Sequence, residues 1–96
     1  MPLPKSVLIA GRRIKIKLAE LDDCFGQYRH DDRVILINKE INGFMLKTTL
    51  RHEMLEASLL LSGVGWCENY EQEAVVRCID EVFFPAWERI QKILIK

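Results

Sequence analysis

The stretch Thr49–Ala57, which reads TLRHEMLEA, decides the fold because it fixes where a helix lies and which way it faces. We predict that this helix begins at Thr48 or Thr49, whose hydroxyl group can cap the first turn, and that it runs to about Leu61. Gly63 follows closely, and glycine readily adopts the left-handed conformation in which helices commonly end.

Three side chains of this helix have the spacing of a metal site. His52 and Glu56 are four positions apart, so they project from one face about one turn apart and could hold a single cation. Glu53 lies beside His52 and could reach a water molecule bound to that cation. The alternative is that both glutamates are solvated and that His52 is a partly buried histidine with ordinary hydrogen bonds.

Strands are predicted before this helix. Ile14–Leu18 alternates apolar residues with lysine, which predicts a strand with one buried face and one lysine-rich solvent face. Cys24–Tyr28 and Arg33–Asn38 predict two further strands, and the polar turn Arg29–Asp32 between them predicts a hairpin. Val34–Ile37 has no polar break, so we expect that strand to be central in the sheet.

A second helix is predicted near the C-terminus, with Asn69 as its N-cap, and Pro85 is expected to kink or split it. Its apolar face is expected to carry Val75, Cys78, Ile79, Val82 and Ala86. Strands followed by helices predict an α+β fold, in which a small antiparallel sheet packs on the His-Glu helix and a C-terminal helix follows. We expect one domain over residues 1–96, because the chain is too short for two.

Composition narrows the classes of partner. Acidic and basic residues balance at 14 each, so net charge gives no indication of a nucleic-acid partner. No apolar run approaches the roughly 20 residues needed to span a bilayer, and the first residues lack the apolar core of a signal peptide. The three cysteines share no CxxC spacing, so we expect free thiols and a cytoplasmic location.

The order of strands, a helix with His-Glu near its start and a second helix with glutamates resembles a known family. It is similar to the minimal zincin, or gluzincin-type, core of ImmA/IrrE-like and small phage or prophage metallopeptidase-like proteins, from about Ile14 to Pro85. In such families the third metal ligand is a glutamate of the next helix, often within Glu-x-Glu-Ala. This chain has EQEA at Glu71–Ala74.

Periodicity favours Glu71 over Glu73 as that third ligand. Glu71 is four residues before Val75 and therefore shares the predicted inward face. Glu73 aligns instead with Arg77 and Asp80, which we interpret as the solvent side, and it is retained as the alternative.

The resemblance has one departure, because zincins have histidine at the position of Glu56. A site of His52, Glu56 and Glu71 would offer one nitrogen and two carboxylates. Such a set can bind zinc but accepts manganese more readily than the two-histidine site does. Glu53 is the expected catalytic base.

Three functions stay open at this point. The first is a metal-dependent peptidase that binds an extended peptide along an edge of the strand Val34–Asn38. The second is a catalytically degenerate zincin fold that serves as a protein-binding or regulatory module. The third is a small structural or regulatory protein unrelated to zincins, for which we expect no strand packed along the His-Glu helix. In the first two, a peptide or protein is the expected partner, and the sequence leaves the oligomeric state open.

Overall fold

A computed structural model describes residues 3–63, 71–86 and 88 of the chain, and it confirms the α+β class. The elements in chain order are β1 (Ser6–Ile9), β2 (Arg12–Ala19), β3 (Gly26–Arg29), β4 (Val34–Asn38), α1 (Gly43–Leu61), α2 (Gln72–Arg77) and a π-helical turn (Cys78–Phe83) that continues α2. Within the described ranges, no helix has the length and apolar character that crossing a membrane requires.

The four strands form one mixed sheet in the order β1-β2-β4-β3. The pairs β1–β2 and β3–β4 are antiparallel, whereas β2 and β4 run parallel, with Ile16 opposite Ile35. The expected sheet was antiparallel throughout. The chain departs from this because β3 lies on the far side of β4, so that β4 returns beside β2 in the same direction. The prediction that β4 is central is confirmed, since it has a neighbour on each side.

Strand β1 was not predicted from the sequence, although it forms one edge of the sheet. It has four residues and is joined to β2 by a two-residue turn at Ala10 and Gly11, with φ angles of 52° and 75°. Turns with both central residues at positive φ match the twist of antiparallel strands. Alanine rarely adopts this conformation, so the turn carries little sequence signal.

Helix α1 ends at Leu61 as predicted, but it begins at Gly43, several residues before the predicted start. The prediction of a Thr48 or Thr49 cap was wrong because neither residue lies at the helix end. The hydroxyl of Thr48 donates to the carbonyl of Met45 at 3.2 Å, which is a bond within the helix.

The core lies between α1 and one face of the sheet. Its fully buried large side chains are Ile14, Ile35 and Ile37, and Ala57 of α1 packs against them. Leu18 continues the alternation of Ile14 and Ile16 in the sequence, yet it is 58% exposed near the end of β2. The apolar alternation therefore predicted the buried face correctly over the middle of the strand only.

Strand β3 lies against α1 at Gly26, where two side chains of α1 come too close to the strand for a larger residue. A β-carbon at Gly26 would lie 2.7 Å from Thr49 Cγ2 and 3.1 Å from Glu53 Cγ. We therefore expect Gly26→Ala to lower the free energy of unfolding by about 1–3 kcal/mol, the usual cost of overpacking, as measured by urea denaturation.

The control is the same substitution in a Thr49→Ser background, which removes the methyl group that the new β-carbon would meet. Gly26→Ala should cost clearly less in that background. Equal costs in the two backgrounds would show that the approach of β3 to α1 at Thr49 is not the origin of the effect.

Candidate metal centre

The side chains of His52, Glu53 and Glu56 converge on α1. One possible ligand atom from each residue lies within 4.8 Å of the other two. His52 Nε2 is 2.8 Å from Glu56 Oε2, as expected for side chains one helical turn apart. An imidazole nitrogen and carboxylate oxygens at this separation form a donor set that suits Zn²⁺ or Mn²⁺.

Glu53 is the buried member of this group, with only 6% of its surface exposed. Burial raises the pKa of its carboxyl group to about 7, and the negative charge of Glu56 adds to that effect. The positive charge of His52 and a hydrogen bond from the backbone N–H of Tyr28 act in the opposite direction on this pKa. Tyr28 belongs to β3, which lies at one edge of the sheet among the described strands, so Glu53 joins α1 to that edge strand.

His52 is half-buried among carboxylates. Burial alone would lower the pKa of its imidazole, but the hydrogen bond with Asp80 and the charges of Glu56, Glu53 and Asp80 outweigh burial. The pKa of His52 is therefore raised. In the absence of a metal ion, a protonated imidazole can donate to Glu56 and Asp80 together.

Asp80 is a member of this site that the sequence did not predict. Its side chain is only 15% exposed, and its Oδ2 lies 3.4 Å from His52 Nδ1. The prediction that Asp80 lies on the solvent side was wrong, as was the predicted burial of Cys78, which is exposed. The inward face is centred on Val76 rather than Val75, and Asp80 is one helical turn beyond Val76.

Because the inward face is centred one residue later than predicted, Gln72 also faces the site. Gln72 is one turn before Val76, and its Nε2 donates to Glu56 Oε1 at 3.2 Å. Glu71 and Glu73 are both exposed, and neither belongs to the group formed by His52, Glu53 and Glu56. The prediction that Glu71 shares the inward face of the second helix was thus wrong. The choice of Glu71 as the third ligand stays a prediction. Asn69, the predicted cap, lies outside the described residues, and Glu71 occupies the N-cap position of α2.

A cleft of about 340 Å³ opens beside the cluster. His52, Glu53 and Asp80 line its polar side, and Phe25 and Met45 line its apolar side. The prediction that β4 offers a free edge to a peptide was wrong, because β4 is paired on both sides. Among the described strands, the edge strand next to the site is β3, which also packs along α1.

Comparisons of the chain with protein-family models, with curated protein sequences and with solved structures find no match in any of the three.

Proposed function

We propose that this protein is a metal-dependent hydrolase of peptide bonds. In this proposal His52 and Glu56 bind a divalent cation, and Glu53 acts as the general base. The observation that carries the proposal is the convergence of one imidazole and two carboxylates within 4.8 Å at the wall of an open cleft. One of these carboxylates, Glu53, is buried beside the other two groups, as a positioned base would be.

The residues fit a cation of the zinc or manganese type. His52 supplies a nitrogen and Glu56 an oxygen, and we retain Glu71 as the proposed third ligand with Glu73 as the alternative. A bound divalent cation would supply Lewis-acid polarisation of a carbonyl group and a more acidic water molecule. With a carboxylate in place of a second histidine, this lowering of the water pKa would be smaller, because more negative charge would surround the cation.

Glu53 has the properties of a proton carrier for such a reaction. Its pKa of about 7 in the metal-free chain lies close to neutral pH, where a group can both take up and return a proton. It would accept a proton from the attacking water and deliver one to the leaving amine. The hydrogen bond from the Tyr28 N–H holds the carboxyl group in place from the side of β3.

An extended peptide could bind along the open edge of β3. Strand addition uses unpaired backbone groups of an edge strand; because the Tyr28 N–H already binds Glu53, the peptide would pair with β3 next to Gly26, which borders the cleft. Phe25 and Met45 are 53% and 43% exposed, and they offer apolar contacts to the side chains of such a peptide. Peptides or unfolded protein segments are therefore the proposed substrates.

Metal content tests this proposal first. Wild-type protein purified without chelator is expected to carry about one zinc or manganese ion per chain, and Glu56→Ala is expected to lose it. Elemental mass spectrometry on both proteins makes the measurement. In parallel, Glu71→Ala and Glu73→Ala identify the third ligand as the residue whose loss releases the metal. Wild-type protein that is metal-free and ignores added Zn²⁺ and Mn²⁺ would contradict the proposal.

A second candidate function is a protein-binding module that has kept the fold without the chemistry. A specific observation favours it: an apolar groove of about 630 Å³ runs along another side of α1 and is lined by residues that include Leu46, Leu50, Met54, Leu55 and Phe84. In this candidate the groove takes an apolar segment of a partner protein, and the contact of His52 with Glu56 is an ordinary ion pair. A metal-free wild type would favour this candidate over the hydrolase.

A further inference from the structure

The face of the sheet opposite α1 is basic. Ile14 and Ile16 of β2 are buried on the side where α1 packs. Arg13, Lys15 and Lys17 alternate with them, so their side chains project from the other face of the sheet, and all three are exposed. Because successive strand residues rise by about 3.3 Å, these three side chains form a column about 13 Å long.

Arg29 of β3 lies on the same face. Lys15 and Arg29 are both register partners of Val34 in β4, so these three residues form one row across the sheet. Neighbouring strands are about 4.8 Å apart, which places the backbones of Lys15 and Arg29 about 10 Å apart. We call the patch formed by Arg13, Lys15, Lys17 and Arg29 the basic face.

No carboxylate within the sheet neutralises the basic face. The four strands carry four basic residues in β2, one in β3 and no acidic residue. Over the ranges that the structure describes, no ion pair involves Lys15, Lys17 or Arg29, whereas Arg51 of α1 is paired with two carboxylates. The equal numbers of acidic and basic residues in the chain therefore conceal a separation of charge between the sheet and the rest of the molecule.

The chemistry of the basic face fits a polyanion with closely spaced charges. Duplex nucleic acid presents one negative charge per about 1.7 Å of helix axis, and lysine and arginine bind its phosphates. Proteins that hold single strands add aromatic side chains on which the unpaired bases stack. The aromatic residue of the strands, Tyr28, packs with the core on the α1 side and pairs with Ile35. A face with cations and no aromatic strand residue favours a duplex, whose bases are already stacked.

We propose that the basic face binds the phosphate backbone of double-stranded nucleic acid. Contacts to phosphates position a protein on a duplex without reading its sequence, so we expect binding that is independent of sequence. The face lies on the side of the sheet away from α1, which carries His52, Glu53 and Glu56. The proposal therefore does not depend on the metal centre.

Fluorescence anisotropy of a labelled duplex of about 20 base pairs, titrated with the full chain, measures this binding. Chelator is present throughout, so that no metal ion bridges the protein and the phosphates. We expect a dissociation constant of about 10⁻⁴–10⁻⁶ M, the range of non-specific binding. Between about 50 and 200 mM salt, the logarithm of the affinity should fall with the logarithm of salt concentration with a slope of about −3 to −4, for four contacted phosphates.

Three charge reversals locate the binding surface. Lys17→Glu and Arg29→Glu change the basic face on two different strands. Lys47→Glu is the matched control, because Lys47 is exposed on α1 and its reversal alters the net charge equally. We expect each of the first two variants to weaken binding more than about tenfold and to reduce the salt slope by about 1, and the control to weaken binding about twofold at most. Urea denaturation verifies that all three are folded.

The outcomes test both the surface and its ligand. Equal losses in Lys17→Glu and Lys47→Glu would show that total charge governs binding, and they would overturn the basic face as the binding surface. Tighter binding to a single strand, to poly-glutamate or to anionic vesicles than to the duplex would overturn double-stranded nucleic acid as the ligand. A wild type that does not bind the duplex at about 50 mM salt overturns the proposal and leaves the proposed hydrolase untouched.

Discussion

Replacing Glu53 with glutamine is expected to make the metal-free protein more stable at neutral and alkaline pH and, at the same time, to slow the proposed peptide hydrolysis strongly. Burial and the charge of Glu56 raise the pKa of Glu53 from 4.5 to about 7, so the ionised carboxylate destabilises the folded chain. Glutamine keeps the shape and removes the charge. The stability gained by the variant over wild type should therefore grow by about 3 kcal/mol between about pH 4 and pH 8.

The direction of this change in stability with pH follows from proton binding. Between 4.5 and about 7 the folded protein keeps a proton on Glu53 that the unfolded chain has already released. The stability of the wild type consequently falls as pH rises through this window, with no penalty below it and the full penalty above it. The raised pKa of His52 acts in the same direction, because its stabilisation is complete below the ordinary value of 6.5 and is lost as pH rises through the folded pKa.

Urea denaturation of Glu53→Gln and wild type across this pH range, in the presence of chelator, makes the comparison. Glu73→Gln is the matched control, since Glu73 is exposed on α2 and lies outside the group formed by His52, Glu53 and Glu56. Parallel pH profiles for wild type and Glu53→Gln would mean that Glu53 titrates normally and is not a poised base.

The same variant tests the chemistry separately. Glu53→Gln should retain the metal, because the proposed ligands are intact, yet lose about 10²–10⁴-fold in the rate of metal-dependent peptide hydrolysis. A gain in stability together with a loss of activity would identify Glu53 as a residue kept at a cost to the fold. Hydrolysis unchanged in Glu53→Gln would exclude it as the base.

Features that depend on neighbouring residues in the chain could be predicted from the sequence. The spacing of His52 and Glu56 fixes their common face, whatever the rest of the molecule does. The alternation around Ile14 and the unbroken apolar run of β4 predicted the buried positions in the centre of the sheet. Each of these predictions depends only on the geometry of a single helix or a single strand.

Features that depend on distant parts of the chain could not be predicted from the sequence. The parallel pairing of β2 with β4 follows from where β3 lies, and no local pattern records this. On the second helix, Val75 and Val76 are adjacent and both apolar, so periodicity alone allowed two inward faces. Choosing the face of Val75 placed Asp80 in solvent, although Asp80 contacts His52 in the structure.

Introducing a second histidine into the proposed site, by Glu56→His, is expected to change which metal the site prefers. Imidazole suits zinc, whereas carboxylate oxygens suit manganese. The variant should therefore bind Zn²⁺ at least about tenfold more tightly than wild type and Mn²⁺ correspondingly more weakly. Competition titrations with both metals provide the dissociation constants.

Glu56→Gln is the control for that experiment, because it removes the same negative charge without adding an imidazole. It should weaken the binding of both metals. If Glu56→His and Glu56→Gln behave alike, residue 56 is not a ligand and the proposed site fails. If zinc binding tightens and hydrolysis rises, the carboxylate at residue 56 tunes the metal and its water within a working enzyme. Tighter zinc binding without any hydrolysis would show that the scaffold can hold a metal ion but lacks the chemistry, which favours the protein-binding module.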